Sequence, residues 1–350
     1  MCICTKFKKT NPIIMINILY IGNKLLKHGF SATSIETLGP LLEKENYKLY
    51  YASSKKNKFL RFLNMFHKTL VKAHKVDYVL IDTYSTINFW FAFMVSQLCR
   101  ILNKPYITIL RGGDLPNRLK SSPLISKLVF SNSLYNVAPS EYLFKVFKEN
   151  KFHNLKLIPN TIEISNYNFQ KKTSVQPKIL WVRSLSTIYN PKMAIDVLVM
   201  LKTSFSNAEL CVIGQEKDLR IQDLKEYAIP FNVKVNFTGK LSKPAWIERS
   251  KNYDIFINTT HFDNTPVSLI EALALGLPVV STNVGGIPFL VKDRETALLV
   301  DDSDTQAMVE AIKELIENPD LAQNLAENGR KLAEQFDWQI VKNQWKEILK

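Results

Sequence analysis

Short apolar runs alternate with helical patterns along almost the whole chain, and the series runs twice. The first set of strands is read at Ile16–Ile21, Tyr47–Ala52, Val76–Asp82, Tyr106–Leu110, Asn136–Ala138 and Lys156–Ile158. A polar stretch without periodicity, Asn166–Pro177, follows. The second set is read at Ile179–Val182, Glu209–Ile213, Val233–Thr238, Ile255–Asn258, Pro278–Ser281 and Leu298–Val300. Helices Thr305–Glu317, Pro319–Gln335 and Trp338–Leu349 close the chain. Adjacent parallel strands need a long crossover, so this alternation predicts parallel sheets covered by helices on both faces. With 350 residues, the chain is long enough for two such cores. The expected architecture is two doubly wound α/β domains, residues 1–165 and 166–334, facing each other across a cleft. Ligands bind at the carboxyl ends of strands in open sheets of this kind.

Within the second domain, Glu271 is the only charged residue between Asn264 and Val291. Burying a carboxylate without partners costs several kcal/mol, so its retention in an apolar helix points to a bound group. Thr265-Pro266 reads as a helix start, with Thr at the cap and Pro in the first turn. Gly276 and Pro278 end that helix, Leu277–Thr282 reads as a buried strand, and Gly285-Gly286 as a tight loop. Asp263 stands just before the helix, eight positions ahead of Glu271. A helix N-terminus beside glycine loops suits a phosphate, and a carboxylate suits sugar hydroxyls.

These residues carry a resemblance. An acid, seven residues, Glu, a small-residue helix, Gly-x-Pro-Val-Val and a Gly-Gly turn resemble the signature of retaining glycosyltransferase family 4, which has the GT-B fold. Here the pattern is Asp263, Glu271, Gly276-Leu-Pro-Val-Val and Gly285-Gly286, with Asp in place of the usual first Glu. Leu157-Ile-Pro-Asn-Thr-Ile-Glu resembles the family's Pro-Asn-Gly junction, with Thr161 replacing Gly, and Phe336-Asp-Trp338 resembles the start of its last helix. The resemblance implies two Rossmann-like domains, with residues 335–350 packing back on the first.

It also implies a chemistry, transfer of a sugar from UDP- or GDP-sugar to a glycan or lipid-linked glycan. Arg183 matches the family's diphosphate-binding Arg, and its fork suits two phosphate oxygens. The family's partner Lys stands about six residues further on; Lys192, nine residues on, is the candidate. Asp263 would hold hydroxyls of the transferred sugar, and Glu271 the ribose hydroxyls. The donor would also meet Asn264, Thr265, Val267 and Ser268 at the helix start. In the first domain, Arg111-Gly112-Gly-Asp114 stands where many members have His-Gly. Arg111 and Asp114 either recognise an anionic sugar or acceptor or pair with each other. His28, Gly29 and Ser31 follow the first strand, where the family often has a Gly-Gly pair, and are candidates for contact with diphosphate or acceptor. The resemblance implies no cofactor and no metal. Asp301, Asp302 and Asp304, a close acidic group, read as helix capping. Two rivals share the fold, a nucleotide-sugar 2-epimerase and a catalytically silent partner subunit.

Charge is uneven. Residues 1–160 hold 24 Lys+Arg against 8 Asp+Glu, a net of +16, and residues 161–350 hold 22 against 24, a net of −2, summing to +14. A basic first domain suits either a solvated face or an anionic membrane surface. Lys55, Lys56, Lys58, Arg61, Lys68, Lys72 and Lys75 cluster near Phe59, Leu60, Phe62, Leu63, Phe66 and Leu70. No nucleic-acid motif, zinc spacing, P-loop or Ser–His–Asp arrangement is present. No run reaches the ~18–20 apolar residues of a membrane span; Ile87–Cys99 reads as a buried helix or a membrane contact. The first residues lack the apolar run and cleavage site of a secretory signal, and Met15 immediately precedes the first strand. Cys2, Cys4, Cys99 and Cys211 are scattered, the last two in apolar surroundings. The expected location is cytoplasmic, peripheral on the inner face of a membrane.

Overall fold

The computed structural model describes residues 15–350. The expectations for Cys2, Cys4 and Lys6/Lys8/Lys9 lie outside the described residues. Among the described residues twelve strands form two six-stranded sheets. The first holds β1 (Asn17–Ile21), β2 (Lys48–Ala52), β3 (Tyr78–Thr83), β4 (Tyr106–Leu110), β5 (Tyr135–Ala138) and β6 (Leu155–Leu157), in the order β2-β1-β3-β4-β5-β6. The second holds β7 (Lys178–Val182), β8 (Glu209–Ile213), β9 (Asn236–Gly239), β10 (Ile255–Asn258), β11 (Val279–Thr282) and β12 (Leu298–Val300), in the order β12-β11-β10-β7-β8-β9. Every pairing is parallel. The central strands are buried on both faces and rich in Ile, Val and Leu, as parallel sheets require, whereas the edge strands β2, β6 and β9 are only partly buried. This is the two-domain α/β architecture called GT-B.

The strand order reverses between β1 and β3 in one sheet and between β7 and β10 in the other. Adjacent crossovers leave there in opposite directions, which opens a crevice at the carboxyl ends. The last helix, Trp338–Ile348, lies on the first sheet, where Trp338, Val341 and Trp345 join Ile18, Tyr20 and Leu80 in one core. The Tyr47 hydroxyl donates to the Leu349 carbonyl at 3.1 Å. The chain crosses between domains twice at one place, where Ile162 N–H donates to Phe336 O (3.0 Å) and Trp338 N–H to Ile162 O (2.8 Å).

Cys99 and Cys211 are buried free thiols, and burial pushes the Cys99 thiol up to about 12. Among the described residues no helix is long and apolar enough to cross a membrane. The helix Asn88–Ile101 buries Phe89, Ala92, Val95 and Cys99 and leaves Trp90 and Met94 exposed. The helix Lys58–Lys72 is turned unusually. It buries Arg61, Met65 and Thr69 and exposes Phe59, Leu60, Leu63 and Leu70. Arg61 is held inward by the Lys55 and Lys56 carbonyls (both 2.8 Å) and by Asn23 Oδ1 (2.9 Å).

Candidate active site at the switch point of the second sheet

Arg183 follows β7 and Asp263 lies beyond β10, on either side of the place where strand order reverses. Their side chains form a salt bridge, and both are mostly buried. Asp263 Oδ1 also accepts from the Asn264 N–H at 2.8 Å. The backbone here is pressed by the glycine turn. A Cβ at Gly286 would lie 1.9 Å from Asn264 O, and one at Gly285 2.3 Å from Asp263 O. Gly285 also has φ +56°, a conformation open mainly to glycine.

The helix Val267–Leu275 begins one residue later than expected. Pro266, not Thr265, occupies the cap position, with φ −68° and ψ 112° and no side-chain cap bond. Proline offers no side-chain acceptor, so the first-turn N–H groups of Val267 and Ser268 stay without a partner among the described residues. The Ser268 hydroxyl is likewise buried without a partner. The helix ends at Gly276 in the left-handed conformation, φ +78°.

Glu271 is isolated in sequence but paired in space, which corrects the expectation that its neighbours leave it without partners. Its Oε1 accepts from the Tyr167 hydroxyl at 2.8 Å and from the Lys243 ammonium. Tyr167 is part of the second domain's core, and its carbonyl accepts from Arg330 Nη1 at 2.6 Å, which also donates to Ala274 O at 2.6 Å. Burial and the Glu271 carboxylate push the Tyr167 phenol well up, so it remains a donor. Glu271 Oε2 takes no hydrogen bond from the described residues, although the side chain is only 4% exposed.

Lys192 departs from its expected place. Its ammonium lies 4.9 Å from the Tyr227 ring centroid rather than beside Arg183. The left-handed cap Asn190 starts the helix Pro191–Leu201, and Lys192 in its first turn faces the neighbouring helix Ile221–Ala228. The residue six positions after Arg183 is Tyr189, whose ring lies 4.0 Å from the guanidinium. A loop after β8 crosses behind this pair. A Cβ at Gly214 would lie 1.8 Å from the Arg183 carbonyl oxygen, so only glycine permits the approach. The Asp218 carboxylate accepts from Thr187 N–H (2.9 Å) and Thr187 Oγ1 (2.7 Å), tying the β7 and β8 loops together. Burial acts to raise the Asp218 carboxyl, but hydrogen bonds from Ser186 and Thr187 hold it well below the usual range.

The first domain meets this site through its own strand ends. Arg111 pairs with Asp82 (Nε to Oδ1, 3.5 Å), not with Asp114, and donates to Asn160 Oδ1. Asn160 in turn donates to the Thr265 carbonyl at 3.4 Å. Burial pushes the Asp82 carboxyl up to about 6, against the lowering effect of Arg111. Asp114 accepts from Asn117 at 2.5 Å, outside this chain of contacts. At Gly112 a Cβ would meet the Ser85 N–H at 2.4 Å, so the loop packs tightly on its neighbour. Ser140 Oγ bonds Asn264 Oδ1, and Thr265 Oγ1 donates to Pro139 O at 3.4 Å. The loop after β1 also reaches across. Ser31 Oγ donates to Gln215 Oε1 at 3.1 Å, and Lys240 Nζ donates to the Gly29 and Phe30 carbonyls at 2.8 and 2.7 Å. His28 instead contacts Ser54 O at 2.9 Å.

Of the expected residues, Arg183, Asp263, Asn264, Thr265, Val267, Ser268 and Glu271 share the second domain's switch point, and Gly29, Ser31 and Arg111 approach it. Tyr167, Lys240 and Lys243 carry no signal in the sequence that singles them out. A tyrosine in a polar linker and lysines in loops carry no motif of their own. Among the described residues no group of three His, Cys, Asp or Glu side chains is placed to hold a metal. Asp304 caps the helix Thr305–Glu317 through Ala307 N–H (2.8 Å), and Asp302 bonds His261 (2.8 Å).

Two six-stranded parallel sheets whose carboxyl ends face each other define a GT-B fold. Residues 165–332 match the family model of glycosyl transferases group 1. The capsular polysaccharide biosynthesis glycosyltransferase CapM of Staphylococcus aureus is 33% identical over 144 residues, 41% of this chain and 37% of that protein. CapJ of the same species is 24% identical over 70% of this chain and 65% of its own length. The chain thus spans less than two thirds of these relatives. Among solved structures, sucrose-phosphate synthase from Thermosynechococcus elongatus superposes with a TM-score of 0.76 at 15% identity, covering 95% of this chain and 98% of that one. HepE of Anabaena, in complex with UDP and glucose, gives 0.73 at 17% identity, covering 95% and 99%.

Proposed function

We propose that the protein is a retaining glycosyltransferase of family 4 that moves a hexose from a UDP- or GDP-sugar to a glycan or lipid-linked glycan. The observation that carries this reading is the convergence of Arg183, Asp263, an uncapped helix start and the free Glu271 oxygen at one switch point. Each matches a part of a nucleotide sugar. The Glu271 Oε2 accepts ribose hydroxyls. The N–H groups of Val267 and Ser268 and the Arg183 guanidinium meet diphosphate oxygens as negative charge builds on them. Asp263, oriented by Arg183 and by the Asn264 N–H, accepts from hydroxyls of the transferred sugar. In the reaction the acceptor oxygen bonds the anomeric carbon on the face the diphosphate leaves. The anomeric carbon–oxygen bond breaks, and the acceptor proton passes to the departing phosphate oxygen. Residues 166–334 hold the donor, and the first domain, residues 1–165, presents the acceptor from the loops at Gly29, Ser31 and Gly112. Arg111, neutralised by Asp82 and bonded to Asn160, braces the Thr265 end of the donor site rather than meeting an anionic sugar.

The capsule proteins among the relatives support a polysaccharide acceptor, and the UDP complex of HepE supports a uridine donor. The basic first domain, with Phe59, Leu63, Trp90 and Met94 exposed on two adjoining helices, supports attachment to the anionic inner face of a membrane. The Arg183 guanidinium and the helix N–H groups suffice to stabilise the leaving group, so transfer needs no divalent metal. The test is nucleotide release from UDP- and GDP-sugars with a capsule-type acceptor in excess EDTA. Release should persist. Complete loss, restored by magnesium or manganese, would show that the leaving group is stabilised in another way.

A further inference from the structure

A leaving nucleoside diphosphate gathers negative charge, and the Arg183 guanidinium that faces it is already shared with Asp263. The lysines around the carboxyl ends of β7 to β10 sort by what holds them. Lys240 is committed to the Gly29 and Phe30 carbonyls, and Lys243 to the Glu271 carboxylate. Lys192 lies over Tyr227 on the flanking helix. Lys217 is different. Its ammonium takes no oxygen partner among the described residues and lies 5.9 Å from the centroid of Tyr189, the ring on which Arg183 stacks.

The Lys217 backbone is fixed in that position from several sides. Its N–H donates to the Leu185 carbonyl at 3.2 Å, and Leu185 N–H donates to Gln215 O at 2.7 Å. The adjacent Asp218 clamps Thr187, and Gly214 allows the loop to pass against the Arg183 carbonyl. The same loop faces the first domain, since Gln215 accepts from Ser31. An exposed lysine on a loop fixed by these bonds, sharing an aromatic ring with Arg183, is placed to meet a polyanion there.

We infer that Lys217 is a catalytic residue of this site, the second cation on the donor diphosphate, with Tyr189 as the platform that spaces it from Arg183. Lys217 stays protonated throughout. It donates hydrogen bonds to non-bridging phosphate oxygens, more strongly as the anomeric bond breaks, and forms no covalent bond. The inference rests on the donor-site reading of the cleft.

The test compares ligands that differ only in the diphosphate. UDP and uridine, and GDP and guanosine, are titrated into the full chain and into Lys217→Met, Lys217→Arg and Lys192→Met. A charge-assisted hydrogen bond corresponds to about tenfold to a hundredfold in affinity. Lys217→Met should therefore lose about tenfold or more for the diphosphate while nucleoside affinity is unchanged. Lys217→Arg should retain most of the preference, and Lys192→Met all of it. An unchanged diphosphate preference in Lys217→Met would overturn the inference, as would equal losses for nucleoside and diphosphate or a selective loss in Lys192→Met. Wild-type protein that binds none of the four ligands would overturn the donor-site reading itself, a separate outcome.

Discussion

Glu271 shows how a buried charge is made useful. Its helix is otherwise uncharged, yet one oxygen carries both protein partners and the other carries none among the described residues. Tyr167 is the more telling partner because it is buried, and its backbone is tied to the helix Pro319–Glu334 through Arg330. In the proposed donor site it is a positioning residue, holding the carboxylate in one orientation through Oε1. Tyr167→Phe keeps the ring and removes the hydroxyl. It should weaken UDP or GDP binding roughly threefold to tenfold, in line with about 1 kcal/mol for one hydrogen bond. Calorimetric titration reads this directly. Donor KM should rise with kcat nearly constant, because a ribose contact is made equally in ground and transition states. Unchanged nucleotide affinity together with a lowered unfolding midpoint would make Tyr167 a structural residue only.

At the scale of elements, the site depends on loops that cross at close range. Gly214 is the clearest case, with a Cβ there reaching 1.8 Å from the Arg183 carbonyl oxygen. Gly214→Ala must push the β8 loop away from β7, and overpacking of this kind costs about 1–3 kcal/mol. Urea unfolding should show that loss, and diphosphate affinity should fall with it as Lys217 and Tyr189 move. A variant as stable as the parent would mean that the loop yields freely. The strands themselves were legible in the sequence because each is a short apolar run bounded by turn residues, and the two-sheet architecture followed from their alternation. Boundaries shifted where propensity and pairing disagree. The expected strand from Val233 starts at Asn236, since a left-handed Asn232 ends the preceding turn and Val233 and Val235 pack on the core without joining the ladder. The helix start moved because Pro266, locked near φ −65°, fits the cap as well as the first turn. Side-chain pairings were not legible. Arg111 chose Asp82, 29 positions away, over Asp114 in its own loop, and Lys192 turned to Tyr227 because the helix phase, not the distance along the chain, sets where it points.

At the scale of the molecule, the two domains touch through side chains that also shape the cleft. Ser140 with Asn264, Asn160 with Thr265, and Lys240 with the loop at Gly29 all bridge the sheets at their carboxyl ends. The surplus positive charge lies in the first part of the chain, +16 over residues 1–160 against −2 over residues 161–350. If that charge faces a membrane, sedimentation with anionic vesicles should carry the protein down at low salt and release it as salt rises, because screening is strong over ~10 Å at 0.1 M. Equal binding to neutral vesicles would remove the electrostatic argument and leave the exposed Phe59, Leu63 and Trp90 to explain it. The central claim concerns the second domain, where the switch point is a nucleotide-sugar site centred on Glu271. Titrating UDP and GDP into wild type and Glu271→Ala, with thermal unfolding of both, tests it most directly. The account predicts that wild type binds one of the two nucleotides. It predicts that Glu271→Ala loses roughly tenfold to a hundredfold of that affinity. The unfolding midpoint should fall only modestly, since Lys243 is half-exposed and returns to water while Tyr167 alone is left without its acceptor. Unaltered nucleotide affinity in a variant that unfolds far more easily would contradict the account, because Glu271 would then serve only to hold Tyr167 and Lys243.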